Sequence, residues 1–149
     1  MEAPRTTIDT RCPGTFADKV AVELNRAERY RVFVSLTIID LGPAREIAAD
    51  QAAEVLEDVT SRVKAAVRAC DHVDLLMGHC LAVLQPETPR QGAEIAARRL
   101  TEIVKGSLKA RYGDQADRAI PVEIASYPDT AGARTMQGFL EDMVKKSQN

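Results

Sequence analysis

The segment RVFVSLTIIDL, residues 31–41, constrains the fold more than any other part of the chain. β-Branched and apolar side chains run through it almost without a break, where a half-exposed strand would alternate. Such a strand has to be covered on both faces, so the rest of the chain must supply layers above and below it. It stops at Leu41-Gly42-Pro43, a turn signal. On either side the apolar period is helical. Phe16, Val20, Leu24 and Ala27 recur through residues 16–29; Ala52, Leu56, Val59, Val63, Val67 and Cys70 form one stripe within a helix expected over 44–70. VDLLMGHCLAVLQP then gives two short apolar runs about Gly78, the pattern of a tight hairpin.

A third helix follows in TPRQGAEIAARRLTEIVKGSL, with Ala93, Ala96, Leu100 and Ile103 inward and Gly106 expected to end it. After the polar RYGDQADR, AIPVEIASYP alternates as a strand; Pro121 places it at an edge or at a strand start. A last helix is expected over Met136–Lys146, and residues 1–15 read as a lead-in. The order helix, β, α, β, β, α, β, α implies an α+β domain: a mainly antiparallel sheet with helices packed on it.

Aromatic residues are only 4% of the 149 and tryptophan is absent, so the core must be aliphatic. A formal net charge of −2, with both signs spread along the chain, argues against a general nucleic-acid-binding domain. It leaves room for a local arginine pocket. The three cysteines (Cys12, Cys70, Cys80) lie at unrelated spacings, which gives no disulfide framework. No stretch approaches membrane-spanning length and the N-terminus lacks a basic-then-apolar pattern, so a cytoplasmic location is expected.

Residues 69–85 concentrate both histidines and two of the cysteines. Cys70, His72, His79 and Cys80 are ligand types that zinc prefers, but their spacing matches no standard zinc pattern. A Cys/His nucleophile pair would need an orienting third group, and none is specified. Cys70 reads instead as the last apolar position of a helix stripe and His79 as a turn residue. No metal or cofactor is expected.

The hairpin in its surroundings resembles the GGDEF domain of bacterial diguanylate cyclases, from about Phe16 to Asn149. NRAERYRVFVSLTIIDL is similar to the family's RA.RYG..LSLLLLDID, and VRACDHVDLLMGHCLAVLQPET to VR..D..aRyGGDEFaVLLPeT. GAEIAARRLTEIV, VEIASYP and MVKKSQN follow in the family's order. The resemblance implies a GGDEF, nucleotidyl-cyclase-like α+β fold with a central sheet of about five strands. The signature pentapeptide falls on Met77, Gly78, His79, Cys80 and Leu81. In the family its glycines admit the triphosphate and its acids help to hold two divalent cations. Here Asp40 keeps the first-strand acid, Gly42 takes the place of the second, and Ala53 stands where a guanine-segment Asp belongs. Two-metal phosphoryl chemistry needs convergent hard oxygen ligands. Asp40, Gly78, His79 and Cys80 therefore read as a vestigial active site, and the domain as a degenerate, non-catalytic copy. Asp40 also suits a turn-forming role before Leu41.

Many family members carry RxxD five residues before the pentapeptide, where it forms a product-binding site completed by an arginine of the next helix. Arg68, Asp71 and Arg99 occupy those positions. Arginine can pair bidentately with guanine O6 and N7, and Asp can accept from guanine N1–H and N2–H₂. The resemblance thus implies cyclic di-GMP as ligand, with ligand-induced dimerisation a further expectation. The residues alone also allow a structural role. Arg–Asp at i, i+3 forms surface ion pairs, Arg68 would suit the last turn of a helix, and Arg111 to Asp114 repeats the spacing. A ligand-free interaction or dimerisation module of the same fold is the alternative function.

Overall fold

The computed structural model describes residues 15–128 and 135–147; for Leu140 and residues 143–147 it describes only the backbone. The expected lead-in, apart from Thr15, lies outside the described residues. Helix α1 (Phe16–Tyr30) opens with a capping box: Thr15 Oγ1 accepts from Asp18 N at 3.1 Å and Asp18 Oδ2 accepts from Thr15 N at 3.0 Å. Its buried residues are Phe16, Val20, Leu24 and Ala27, the expected stripe. Strand β1 (Val34–Asp40) follows, buried on both faces as its unbroken apolar run requires.

The single helix expected over 44–70 is divided. Helix α2 (Gly42–Ala48) ends at Ala49, whose φ of 49° interrupts the helical path, and a 3-10 turn (Ala49–Gln51) leads into α3 (Ala52–Ala66). α3 then stops short of Cys70. The Asp71 carboxylate takes the Arg68 N–H and the Arg68 carbonyl takes the Asp71 N–H, so local bonds outcompete another helical turn. Cys70 is consequently exposed and belongs to no helix stripe.

Strands β2 (His72–Leu76) and β3 (Cys80–Pro86) form the expected hairpin. Helix α4 (Arg90–Tyr112) runs through Gly106, which was expected to end it, and terminates at Gly113 with φ 70°. Burial decides this: Ser107 and Leu108, past the glycine, lie against the core, and one glycine costs a helix only about 1 kcal/mol. A short 3-10 turn (Gly113–Ala116), β4 (Val122–Tyr127) and α5 (Met136–Ser147) complete the described chain.

Among the described residues the sheet has four strands, in the order β2-β3-β1-β4, every neighbouring pair antiparallel. The family pattern implied about five. β1 is central, pairing Val34 with Pro86 and Tyr127, and Asp40 with Cys80. Alternation sends Val34, Leu36, Ala82, Leu84 and Ala125 to the face covered by α1 and α5, and Ile39, Leu81 and Val83 to the face covered by α2, α3 and α4. The result is an α+β domain with helices on both faces of the sheet. Under the N-terminal half of α4 the core turns polar. Ser35 Oγ donates to the Thr88 carbonyl at 2.7 Å and shares a bond with Ser126 Oγ at 2.8 Å.

Candidate ligand-binding site

The residues singled out in 69–85 separate to the two ends of the β2-β3 hairpin, roughly 20 Å apart for a strand of this length. Cys70 and His72 lie at the end where β2 starts; His79 and Cys80 lie at the hairpin tip. Among the described residues no three His, Cys, Asp or Glu side chains gather as a metal site.

At the tip, Met77 (φ 55°) and Gly78 (φ 77°) form the turn, closed by the His79 N–H on the Leu76 carbonyl at 3.1 Å. The His79 ring folds back, its Nδ1 3.0 Å from the Met77 carbonyl oxygen. His79 is thus a turn residue, as its position in the hairpin suggests. Asp40 does what the sequence before Leu41 predicts: its Oδ1 accepts from Gly42 N at 2.8 Å. Cys80 sits opposite it across the ladder. At the signature positions the tip thus presents one carboxylate, a thiol and a ring turned onto its own turn.

Beside Asp40 and Cys80 a cavity of about 570 Å³ opens on the α1/α5 side of the sheet. Phe16, Ile38, Leu76 and Phe139 supply carbon walls, and Asp40, Glu123 and Asp142 are its charged lining residues. Nothing in the sequence signalled this space, because its walls come from six separate elements.

The other end of the hairpin is built around Arg68. Its Nη2 donates to Asp71 Oδ1 (3.0 Å), the Pro86 carbonyl (3.0 Å) and Thr88 Oγ1 (2.6 Å), and its Nε donates to Asp71 Oδ2 at 3.3 Å. The Asp71 bond raises the Arg68 pKa above the ordinary guanidinium value, so the charge is permanent. The Asp71 side chain is 1% exposed while that of Arg68 is 53% exposed. The arginine lies over the acid and pins the α3-β2 turn to the end of β3. Arg99 reaches the same place from α4: its Nη1 donates to the Ala66 carbonyl at 3.0 Å, two residues before Arg68. Arg68 stands beyond the end of α3, which corrects its expected place in the last helical turn.

A shallow cleft of about 320 Å³ lies beside Arg68, lined also by Arg26 and Glu87. Arg26 bonds Glu87 at 3.2 Å and Glu23 at 3.6 Å. Sequence reading missed Thr88, Pro86 and Arg26; they join the site through contacts 18 or more residues apart in the chain, which leave no local signal.

No protein-family model matches the sequence, and no curated protein matches it. Solved structures do. The chain is similar to the GGDEF domain of YfiN (TpbB) from Pseudomonas aeruginosa, at 22% identity over 90% of this chain and 88% of that one, TM-score 0.60. It is similar to the active GGEEF domain of a diguanylate cyclase from Vibrio cholerae, at 15% identity over 88% and 81%, TM-score 0.62. The diguanylate cyclase SiaD from Pseudomonas aeruginosa, solved in complex with its activator SiaC, is matched at 17% identity over 89% of this chain and 53% of that one, TM-score 0.57. The chain therefore has the GGDEF fold. Among its described residues no helix is long and apolar enough to cross a membrane.

Proposed function

We propose that this GGDEF-like domain makes no cyclic di-GMP and binds it instead, with Arg68, Asp71 and Arg99 as the recognition set. The observation that carries the reading is the meeting of these residues at one end of α3: Arg99 bonds the Ala66 carbonyl, two residues before the Arg68–Asp71 pair. Arg68 offers a permanent, half-exposed guanidinium to guanine O6 and N7, or to a phosphate. To engage guanine N1–H and N2–H₂, Asp71 exchanges its present bonds with the Arg68 side chain for bonds to the base. Ligand binding on this reading moves Arg68. The absence of cyclase activity rests on the tip, where Asp40 is the lone hard ligand among the signature positions and its Oδ1 already caps Gly42.

Calorimetry with cyclic di-GMP at tens of micromolar protein tests this. Saturable heat is expected, abolished in Arg68→Lys, which keeps the charge and loses the fork, and weakened about tenfold in Arg99→Ala. Incubation with GTP and Mg²⁺ or Mn²⁺ is expected to give no product; product would overturn the non-catalytic reading.

The burial of Asp71 favours a second reading, in which the turn is purely structural and the domain is a ligand-free protein-interaction or homodimerisation module. SiaD with its activator SiaC is one diguanylate cyclase engaged by a protein. An absence of heat with cyclic di-GMP, with the fold intact, would select this reading.

A further inference from the structure

We propose that Thr88 is a positioning residue of the Arg68 site: its hydroxyl holds one end of the Arg68 guanidinium in place while Asp71 changes partner from arginine to guanine. The role rests on the cyclic di-GMP reading and adds to it a residue that acts through Arg68. The Asp71 carboxylate occupies the Nε/Nη2 edge of Arg68, with Oδ2 3.3 Å from Nε and Oδ1 3.0 Å from Nη2. Nη2 has two hydrogens and three acceptors, the others being the Pro86 carbonyl at 3.0 Å and Thr88 Oγ1 at 2.6 Å. One hydrogen therefore goes to Asp71, and Pro86 and Thr88 share the other in a three-centre bond. When Asp71 turns to guanine N1–H and N2–H₂, the Nε/Nη2 edge opens to O6 and N7. The shared hydrogen stays where it is, so the movement of Arg68 is a pivot about Nη2.

Three contacts make Thr88 a fixed acceptor. A threonine hydroxyl has one hydrogen, and that of Thr88 goes to the Pro86 carbonyl at 3.1 Å, which leaves its lone pairs for Arg68. The Thr88 carbonyl accepts from Ser35 Oγ at 2.7 Å. Its methyl fills the room left by Gly92 on α4: Cγ2 lies 3.2 Å from the point where a Cβ would stand. Hydroxyl, carbonyl and methyl are thus held by β3, β1 and α4 in turn, and the residue is only 7% exposed. Arg68 is different, with a long side chain that is 53% exposed. A free arginine of that kind gives up its rotamer freedom when it binds a ligand. With one end already held by Thr88, Arg68 gives up less, and affinity rises by the difference.

Calorimetry with cyclic di-GMP on the full chain and three variants tests the role. Thr88→Val keeps the shape and the methyl contact with Gly92 and loses the hydroxyl. Its affinity should fall about fivefold, the cost of ordering one rotamer-rich side chain at the moment of binding. Thr88→Ser keeps the hydroxyl and loses the methyl, and should bind as the parent does. A purely structural role reverses that order, because packing is kept in the valine variant and lost in the serine one. Thr88→Ala and Thr88→Ser differ by the hydroxyl alone; alanine should again be about fivefold weaker, which keeps the test open if Thr88→Val fails to fold. A parent that binds, with the valine or alanine variant equal to it or the serine variant weaker than the valine one, would overturn the role and leave cyclic di-GMP binding standing. No heat with the parent would remove the binding reading and the role with it.

Discussion

At the Pro86 end of β3 a charged side chain is locked among named partners; at the Cys80 end a charged side chain stands at the rim of an open apolar cavity. Arg68 and Asp71 bond each other, the backbone and Thr88, so the polar groups there hold three segments of chain together. Asp40 holds one backbone N–H and faces a thiol across the ladder. The difference teaches which positions carry the fold and which are spare. Changes at the first end are expected to cost stability, whereas changes at the second are expected to act on turn strain.

The largest expected effect tests the first end. Asp71→Ala leaves the Arg68 guanidinium and the Arg68 N–H without their carboxylate, in a turn that ties α3 to β2 and β3. Hydrogen bonds to a charged group contribute about 2 kcal/mol, so thermal unfolding should fall by about 5 °C. An unchanged midpoint would show that the turn is not a staple, and the contrast between the ends would collapse.

A smaller effect of opposite sign is expected at the tip. Met77 sits at φ 55°, a left-handed conformation that costs a residue with a Cβ about 1 kcal/mol. Met77→Gly relieves that strain while making the unfolded chain more flexible, so a net gain of about 0.5 kcal/mol is expected in urea unfolding. A loss would mean that the exposed methionine side chain packs usefully against the tip.

The smallest effect lies between the two ends, where α3 meets α4. Asp58 accepts from Arg62 Nε at 3.1 Å and from Ser107 Oγ at 3.3 Å, and the Arg62 hydrogen bond holds its carboxyl below the ordinary value of 3.8. A carboxyl lowered in the folded state adds stability above its unfolded pKa and loses it as pH falls through the folded one. Asp58→Asn should therefore lower the urea midpoint slightly at pH 7, with the gap to the parent closing below pH 3.8. A gap that persists at low pH would assign the effect to packing.

Much of the helical layer was legible because its signal is local. The α1 stripe of Phe16, Val20, Leu24 and Ala27 is a period within one segment, and the buried β1 run carries its own instruction to be covered twice. The Asp40 turn and the His79 turn position were legible for the same reason. The breaks were not. Gly106 reads as a stop by propensity, yet burial of Leu108 carries α4 past it. Ala49 gives no hint of its positive φ, and the end of α3 depends on the Arg68–Asp71 bonds. Cys70 fitted a helical period and came out exposed because the helix ended before reaching it.

The sequence by itself determined the layers: one strand apolar throughout, helices with one apolar face each, and the RxxD spacing that places Arg68 beside Asp71. Those are properties of residues a few positions apart, where periodicity and backbone geometry act directly. Only the tertiary structure decided that Thr88 and the Pro86 carbonyl anchor Arg68, that Arg99 reaches the same helix end, and that Phe16, Ile38, Leu76 and Phe139 leave a cavity beside Asp40. These depend on where β3 pairs and how α4 and α5 settle on the sheet. Such contacts join residues far apart in the chain, and no local pattern encodes them.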